Sequence, residues 1–178
     1  MCISDSAVTL PISPVKSSTL PPQSPSFLAY LSHLPPSDRL LFESLELLVP
    51  LATLLATLDE TVLSRTPSSK CHGVSDGTEV LSCMAFAWVL AGPDGLRLAQ
   101  CASPAFGSQA SSYRAEGYGV VSLVKFLSFL KRFCSSLQSW RIRLAADNLG
   151  FITKVKQAMA YETPYPNVTM DPDYDLIE

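Results

Sequence analysis

The hydrophobic period of this chain changes near residue 70, and that change limits what it can fold into. From Phe27 to Leu63 leucines crowd in helical fashion. Further on, Met84, Phe86, Trp88 and Leu90 alternate with Ala85, Ala87 and Val89. A two-residue period is that of a strand, and apolar residues at both parities suit a sheet buried on both faces. A short strand, Cys71 to Val74, precedes it and runs into Ser75-Asp76-Gly77. Gly92-Pro93-Asp94-Gly95 is a turn signal, and Leu96 to Cys101 returns as the next strand, with loop from Ser103 to Gln109. Then the period becomes helical. Ser111 or Ser112 caps a helix over Tyr113 to Cys134, with Lys131 and Arg132 near its negative end. Arg141 to Ala146 is a strand and Asn148 to Ala160 a helix. The order strand, strand, strand, helix, strand, helix predicts an α/β domain with a mixed sheet.

What surrounds this core reads differently. Residues 1–25 hold Pro11, Pro14, Pro21, Pro22 and Pro25 among many Ser and Thr, and are expected to be a disordered lead. Residues 26–66 form a leucine-rich helical segment. A first helix from Phe27 stops at Pro35 and Pro36. Ser37 then caps a second, with Asp38 in its first turn, running through Leu40, Leu41, Leu45 and Leu48 to Val62 with a kink at Pro50. Arg65 to Lys70 is a polar connector. Towards the end, Pro164 and Pro166 break the chain and Asp175 is placed to cap a further helix.

At 178 residues, 47% hydrophobic and 16% charged, the chain is one domain with an appendage and holds enough apolar residues for a packed core. The net charge of −3 selects no partner. Five scattered cysteines without CxxC spacing point to free thiols in a reducing compartment, rather than to a zinc site or disulfides. The start lacks the basic and apolar regions of a secretory signal, so an intracellular protein is expected. The most apolar run, Leu45 to Leu58, contains Glu46 and Pro50 and is shorter than the ~20 residues that span a bilayer, so no membrane partner is expected.

Three carboxylates stand where local structure gives them little to do. Asp76 interrupts an early strand beside Gly77, although Asp-Gly is also an ordinary turn pair. Glu116 heads a helical stripe of Val120, Leu123, Leu127, Leu130 and Cys134. The helix dipole favours it there by only ~0.3–1 kcal/mol, less than the cost of pressing an unpaired charge towards a core. Asp147 follows a strand and precedes a helix, where open α/β sheets place their sites, and where Asp or Asn148 also serves as a cap. Three clustered carboxylates repel unless a cation joins them, and all-oxygen ligands select magnesium or manganese. Between Ser111 and Ala160 eight basic residues face only Glu116 and Asp147, a local charge of +6 that suits phosphate backbones. A solvated helix face has the same composition.

Val74-Ser75-Asp76-Gly77, Phe86-Ala87-Trp88-Val89-Leu90, Ser111-Ser112-Tyr113-Arg114-Ala115-Glu116 and Ala146-Asp147-Asn148 together resemble the ribonuclease H-like domain attached to retrotransposon reverse transcriptases. Pro164-Tyr165-Pro166-Asn167 and Asp173-Tyr174-Asp175-Leu176-Ile177 also have counterparts in a eukaryotic retroelement variety. The resemblance covers roughly Lys70 to Glu178. It implies a ribonuclease H-like mixed sheet (three antiparallel strands, helix, parallel strand, helix), here with an N-terminal helical extension. It implies endonucleolytic hydrolysis of the RNA strand of RNA/DNA hybrids by two Mg2+ ions, with Mn2+ as substitute. Asp76, Glu116 and Asp147 match the family's first three metal-binding catalytic carboxylates, Asp76 being the ligand shared by both ions. Arg114, Asn148, Lys154 and Lys156 are the expected nucleic-acid contacts, and a reverse transcriptase polymerase domain is the expected protein partner. The fourth carboxylate has no match: Asp171, Asp173 and Asp175 align with the segment before it. Residues 67–178 are therefore expected to be this domain without its last strand and helix. An inactive nucleic-acid-binding module, or a relic, stays open as the other reading.

Overall fold

The chain forms strands β1 (Ala7–Ile12), β2 (Glu46–Leu47), β3 (Cys71–Val80), β4 (Cys83–Ala91), β5 (Arg97–Ala105) and β6 (Trp140–Ala146). Its helices are α1 (Phe27–Ser32), α2 (Pro36–Arg39), α3 (Leu51–Leu63), α4 (Ser112–Cys134) and α5 (Leu149–Ala160), with a 3₁₀ turn at Leu40–Phe42. This is a computed structural model that describes residues 7–12, 26–63, 70–107, 109–135 and 140–160. The strands join in one sheet in the order β1-β6-β3-β4-β5-β2. β3, β4 and β5 pair antiparallel in succession, and β6 returns parallel to β3. β1 pairs antiparallel with β6, and β2 with β5. The α/β architecture and the succession of three antiparallel strands, helix, parallel strand and helix thus agree with the sequence pattern.

Alternation sorts the strand residues between two faces. Cys71, Met84, Phe86, Trp88, Leu90, Trp140, Ile142 and Leu144 are buried on one of them. α4 lies against that face. Trp88 packs on Phe126 and donates its indole N–H to the Ser122 hydroxyl at 2.9 Å, and Phe86 stacks on Tyr118. The 3₁₀ turn reaches the same side, since the Leu41 carbonyl accepts from Ser122 Oγ at 2.9 Å. So does α3, through Asp59, which accepts from Trp140 Nε1 at 2.8 Å. The alternate positions Val74, Asp76, Ala85, Ala87, Ala102 and Pro104 are exposed. The expected burial of both faces therefore does not hold. Three of those six positions are alanine, whose small side chain forgoes little hydrophobic stabilisation when left in water.

Two strands run further than the pattern predicts. β3 continues through Asp76-Gly77 to Val80 and turns at Leu81 and Ser82, both with positive φ, where the Ser82 amide donates to the Glu79 carboxylate at 2.8 Å. β5 takes in residues to Ala105. Most differences lie upstream. Pro35 and Pro36 open the four-residue α2, Ser37 makes no capping bond, and the chain then passes through the 3₁₀ turn and β2 before α3. Pro50 does not kink a helix but stands just before one, because a residue preceding proline is driven to extended backbone. In the proline-rich lead, Ala7–Ile12 forms β1 instead of irregular chain, paired residue for residue with β6. Pro11 is tolerated because β1 is an edge strand.

The leucine-rich segment shares the core of the sheet. Phe27, Tyr30 and Phe42 meet Phe126, Phe129 and Phe133 of α4 in ring contacts, and Lys125 bonds Asp38 at 2.6 Å. Cys71, Cys83, Cys101 and Cys134 are free thiols, and burial pushes the Cys71 thiol up to about 12. Among the described residues no helix is long and apolar enough to cross a membrane. Pro164 to Asn167, Asp171, Asp173 and Asp175 lie outside the described residues.

Candidate active site

The parallel pairing of β3 with β6 ends at Ser75 opposite Ala146. One residue further on β6, Asp147 is exposed and the chain turns into α5. Asn148 caps that helix, its side-chain oxygen accepting from the Phe151 amide at 3.1 Å. α4 starts on the same side of the sheet. Its cap is Ser111, whose hydroxyl accepts from the Arg114 amide at 3.0 Å. Helix and strand meet closely at two glycines. A Cβ on Gly77 would collide with the backbone of Ala115 and Glu116, and one on Gly119 with the Ser75 hydroxyl. Ser75 Oγ also donates to the Glu116 carbonyl at 3.2 Å.

This contact fixes Glu116, which is only 2% exposed. Its Oε1 accepts from the Asn148 amide at 3.0 Å. Burial pushes its carboxyl up to about 7, and the hydrogen bond and negative charge of Asp147 push the same way, against backbone amides of Asn148 and Asp147. Glu116 and Asp147 thus form a carboxyl pair at the end of the parallel strands. Asp76 follows Ser75 on β3 as Asp147 follows Ala146 on β6, each one residue past the last parallel pair. Ser75 and Gly77 on either side of Asp76 touch α4, so Asp76 alternates to the open face, where it is exposed and pairs in register with Ala87. Among the described residues no three His, Cys, Asp or Glu side chains group closely enough to hold a metal ion.

A carboxyl whose proton affinity is raised by burial and a neighbouring carboxylate is one that a hard cation would favour as a ligand. The Glu116–Asp147 pair fits one such ion by its all-oxygen donors.

The expected nucleic-acid contacts are partly engaged elsewhere. Arg114 donates through Nε to the Phe106 carbonyl at 2.9 Å and lies over the Tyr118 ring. Asn148 is held as the α5 cap. Lys154 lies 6.0 Å from the Tyr113 ring centroid, and Lys156 is exposed. Nor do the eight basic residues between Ser111 and Ala160 make one surface. Lys131 is buried against Trp140, with its pKa lowered by burial, and Lys125 is paired with Asp38.

Residue types alone did not disclose the Asn148 amide, Ser75, Gly77 or Gly119 as supports of Glu116. Their only signal is small residues where helix and strand approach. Compared with known family models, curated proteins and solved structures, the chain matches none.

Proposed function

We propose that this chain is a ribonuclease H-like nuclease domain, part or remnant of a retroelement reverse transcriptase, that hydrolyses the RNA strand of RNA/DNA hybrids with Mg2+ or Mn2+. The observation that carries the reading is the buried Glu116 carboxyl held against Asp147, one residue past the end of the parallel pair. The succession of elements and the motifs around Asp76, Glu116 and Asp147 support it.

In this reading Glu116 and Asp147 hold the cation, with Asp76 as the third ligand of the family pattern. The bound ion would supply positive charge for an attacking water and for the leaving oxygen of a phosphodiester. The protein's own part is to fix the carboxylates. The Asn148 amide orients Glu116, and the Gly77 and Gly119 contacts set the depth of α4 on β3. Lys154 and Lys156 of α5, the helix that follows Asp147, would contact the hybrid's phosphates.

One observation favours the second reading, a nucleic-acid-binding module that does not cleave. Among the described residues no third carboxylate groups with the pair closely enough to hold an ion, and a site of two carboxylates holds fewer ions than one of three or four. Cleavage of a labelled RNA strand in an RNA/DNA hybrid with Mg2+ or Mn2+ separates the two. The nuclease reading expects cleavage that is lost in Glu116→Gln and Asp147→Asn. If Asp76→Asn abolishes it too, Asp76 is a ligand; if cleavage survives, the pair suffices. A folded protein that binds the hybrid and never cuts it leaves the binding module.

A further inference from the structure

The open face of the sheet brings together basic residues that are far apart in sequence. His72 pairs with Ala91 on one side and with Arg143 on the other, and Ala91 pairs with Arg97. Arg97, Ala91, His72 and Arg143 therefore form one row across β5, β4, β3 and β6. A register shift at Leu90/Ala91 helps make it. Leu98 and Ala99 are both buried, so Arg97 turns to the open side, as a bulge re-aims a side chain. Arg141 stands two residues along β6 from Arg143, on the same face, and is exposed. Three strand spacings put Arg97 and Arg143 roughly 14 Å apart. Among the described residues no carboxylate pairs with any of the three arginines. The acids on this face lie elsewhere: Asp76 is four residues along β3 from His72, and Glu46 accepts from Gln100 at 2.7 Å.

What surrounds the row decides its partner. Among the described residues the apolar strand positions of this face include Val74, Val80, Ala85, Ala87, Val89, Ala102 and Pro104, with no Trp, Tyr or Phe in the strands and Phe106 exposed just past the end of β5. A protein partner needs large apolar or aromatic anchors, and single-stranded nucleic acid needs aromatic platforms for its bases. A flat surface of small side chains edged by unpaired guanidinium groups fits neither. It suits a rigid polyanion read through its phosphates. We propose that Arg97, Arg143 and Arg141, with His72 between them, form a phosphate-contacting track for a nucleic-acid duplex laid across the open sheet face. The choice of nucleic acid as the polyanion rests on the nuclease reading above; the geometry of the row does not.

The test is fluorescence anisotropy of a labelled RNA/DNA hybrid with the full chain in EDTA, where metal-dependent cleavage cannot interfere, titrated between 50 and 200 mM salt. Arg97→Gln and Arg143→Gln should each weaken binding and lower the slope of log affinity against log salt by about one, and the triple variant with Arg141→Gln by about two to three. Their melting curves should match the parent's, since these side chains are exposed or half-exposed. The single RNA strand should bind more weakly than the hybrid; equal binding overturns the duplex assignment. Hybrid binding that is unchanged in the triple variant overturns the track and leaves the nuclease reading standing. Arginine-dependent binding by a chain that never cleaves does the reverse. No hybrid binding by the parent at 50 mM salt overturns the track.

Discussion

The two faces of the sheet are made from the same strands, one residue out of step, and their chemistry is opposite. On the helix side β4 presents Met84, Phe86, Trp88 and Leu90; on the open side, Ala85, Ala87 and Val89. β3 buries Ser75 and exposes Asp76; β6 buries Ile142 and Leu144 and turns Arg141 and Arg143 away from α4. The lesson is that stability and recognition are separated by parity. The helix face carries the packing energy and the buried Glu116, while the open face is free to be charged because little apolar area is lost there.

Substitutions at neighbouring positions should therefore differ sharply. Trp88→Ala removes a fully buried ring and the Ser122 bond, and should cost about 3–5 kcal/mol, read by urea denaturation. Gly77→Ala forces a methyl into the α4 backbone and should cost roughly 1–3 kcal/mol, with α4 displaced at Glu116 and the pH dependence below weakened.

Glu116→Gln sharpens the comparison in the other direction. The folded Glu116 carboxyl titrates at about 7, against an ordinary value of 4.5. The folded state thus keeps a proton that the unfolded chain has released. The corresponding stability is present in full below the ordinary value, falls as pH rises, and is gone above about 7. Glutamine keeps the acceptor for the Asn148 amide and offers a donor to Asp147. The variant should exceed the parent by roughly 1–2 kcal/mol at pH 8 and converge with it below pH 4.5, as read by thermal melts across that range. A flat difference would mean that Glu116 titrates as an ordinary surface carboxylate. The smallest effect belongs to the open face: Ala87→Ser should stay within about 0.5 kcal/mol of the parent. A larger loss would mean that something covers that face.

Much of this was legible in the residues. The period change and the stripe behind Glu116 located the elements of the sheet domain. A strand ending at Asp147 and a helix starting near Glu116 sufficed to anticipate their meeting. Other features left no local mark. Leu81-Ser82 makes the β3–β4 turn with none of the glycine or asparagine that positive φ favours, so Asp76-Gly77 looked like the strand's end. The strand's continuation through them sets which way Asp76 faces. Ala85 and Ala87 count as apolar in a period but are too small to require cover. Lys131 stands in the last turn of α4 as its spacing predicts, but its burial on Trp140 had no local mark. The row of Arg97, His72 and Arg143 exists only through register, which no window of sequence contains.

The pairing of Ala7 with Ala145 has a consequence for synthesis. The two residues are 138 positions apart, so β1 leaves the ribosome long before its partner exists. At ~5–20 residues per second the first strand waits roughly 7–28 s with its hydrogen-bonding edge unsatisfied. For that interval β1 is a strand in search of any available edge, and nascent chains on one message offer each other several. Slowing translation should raise the yield of misassembled product, and deleting residues 7–12 should remove that dependence.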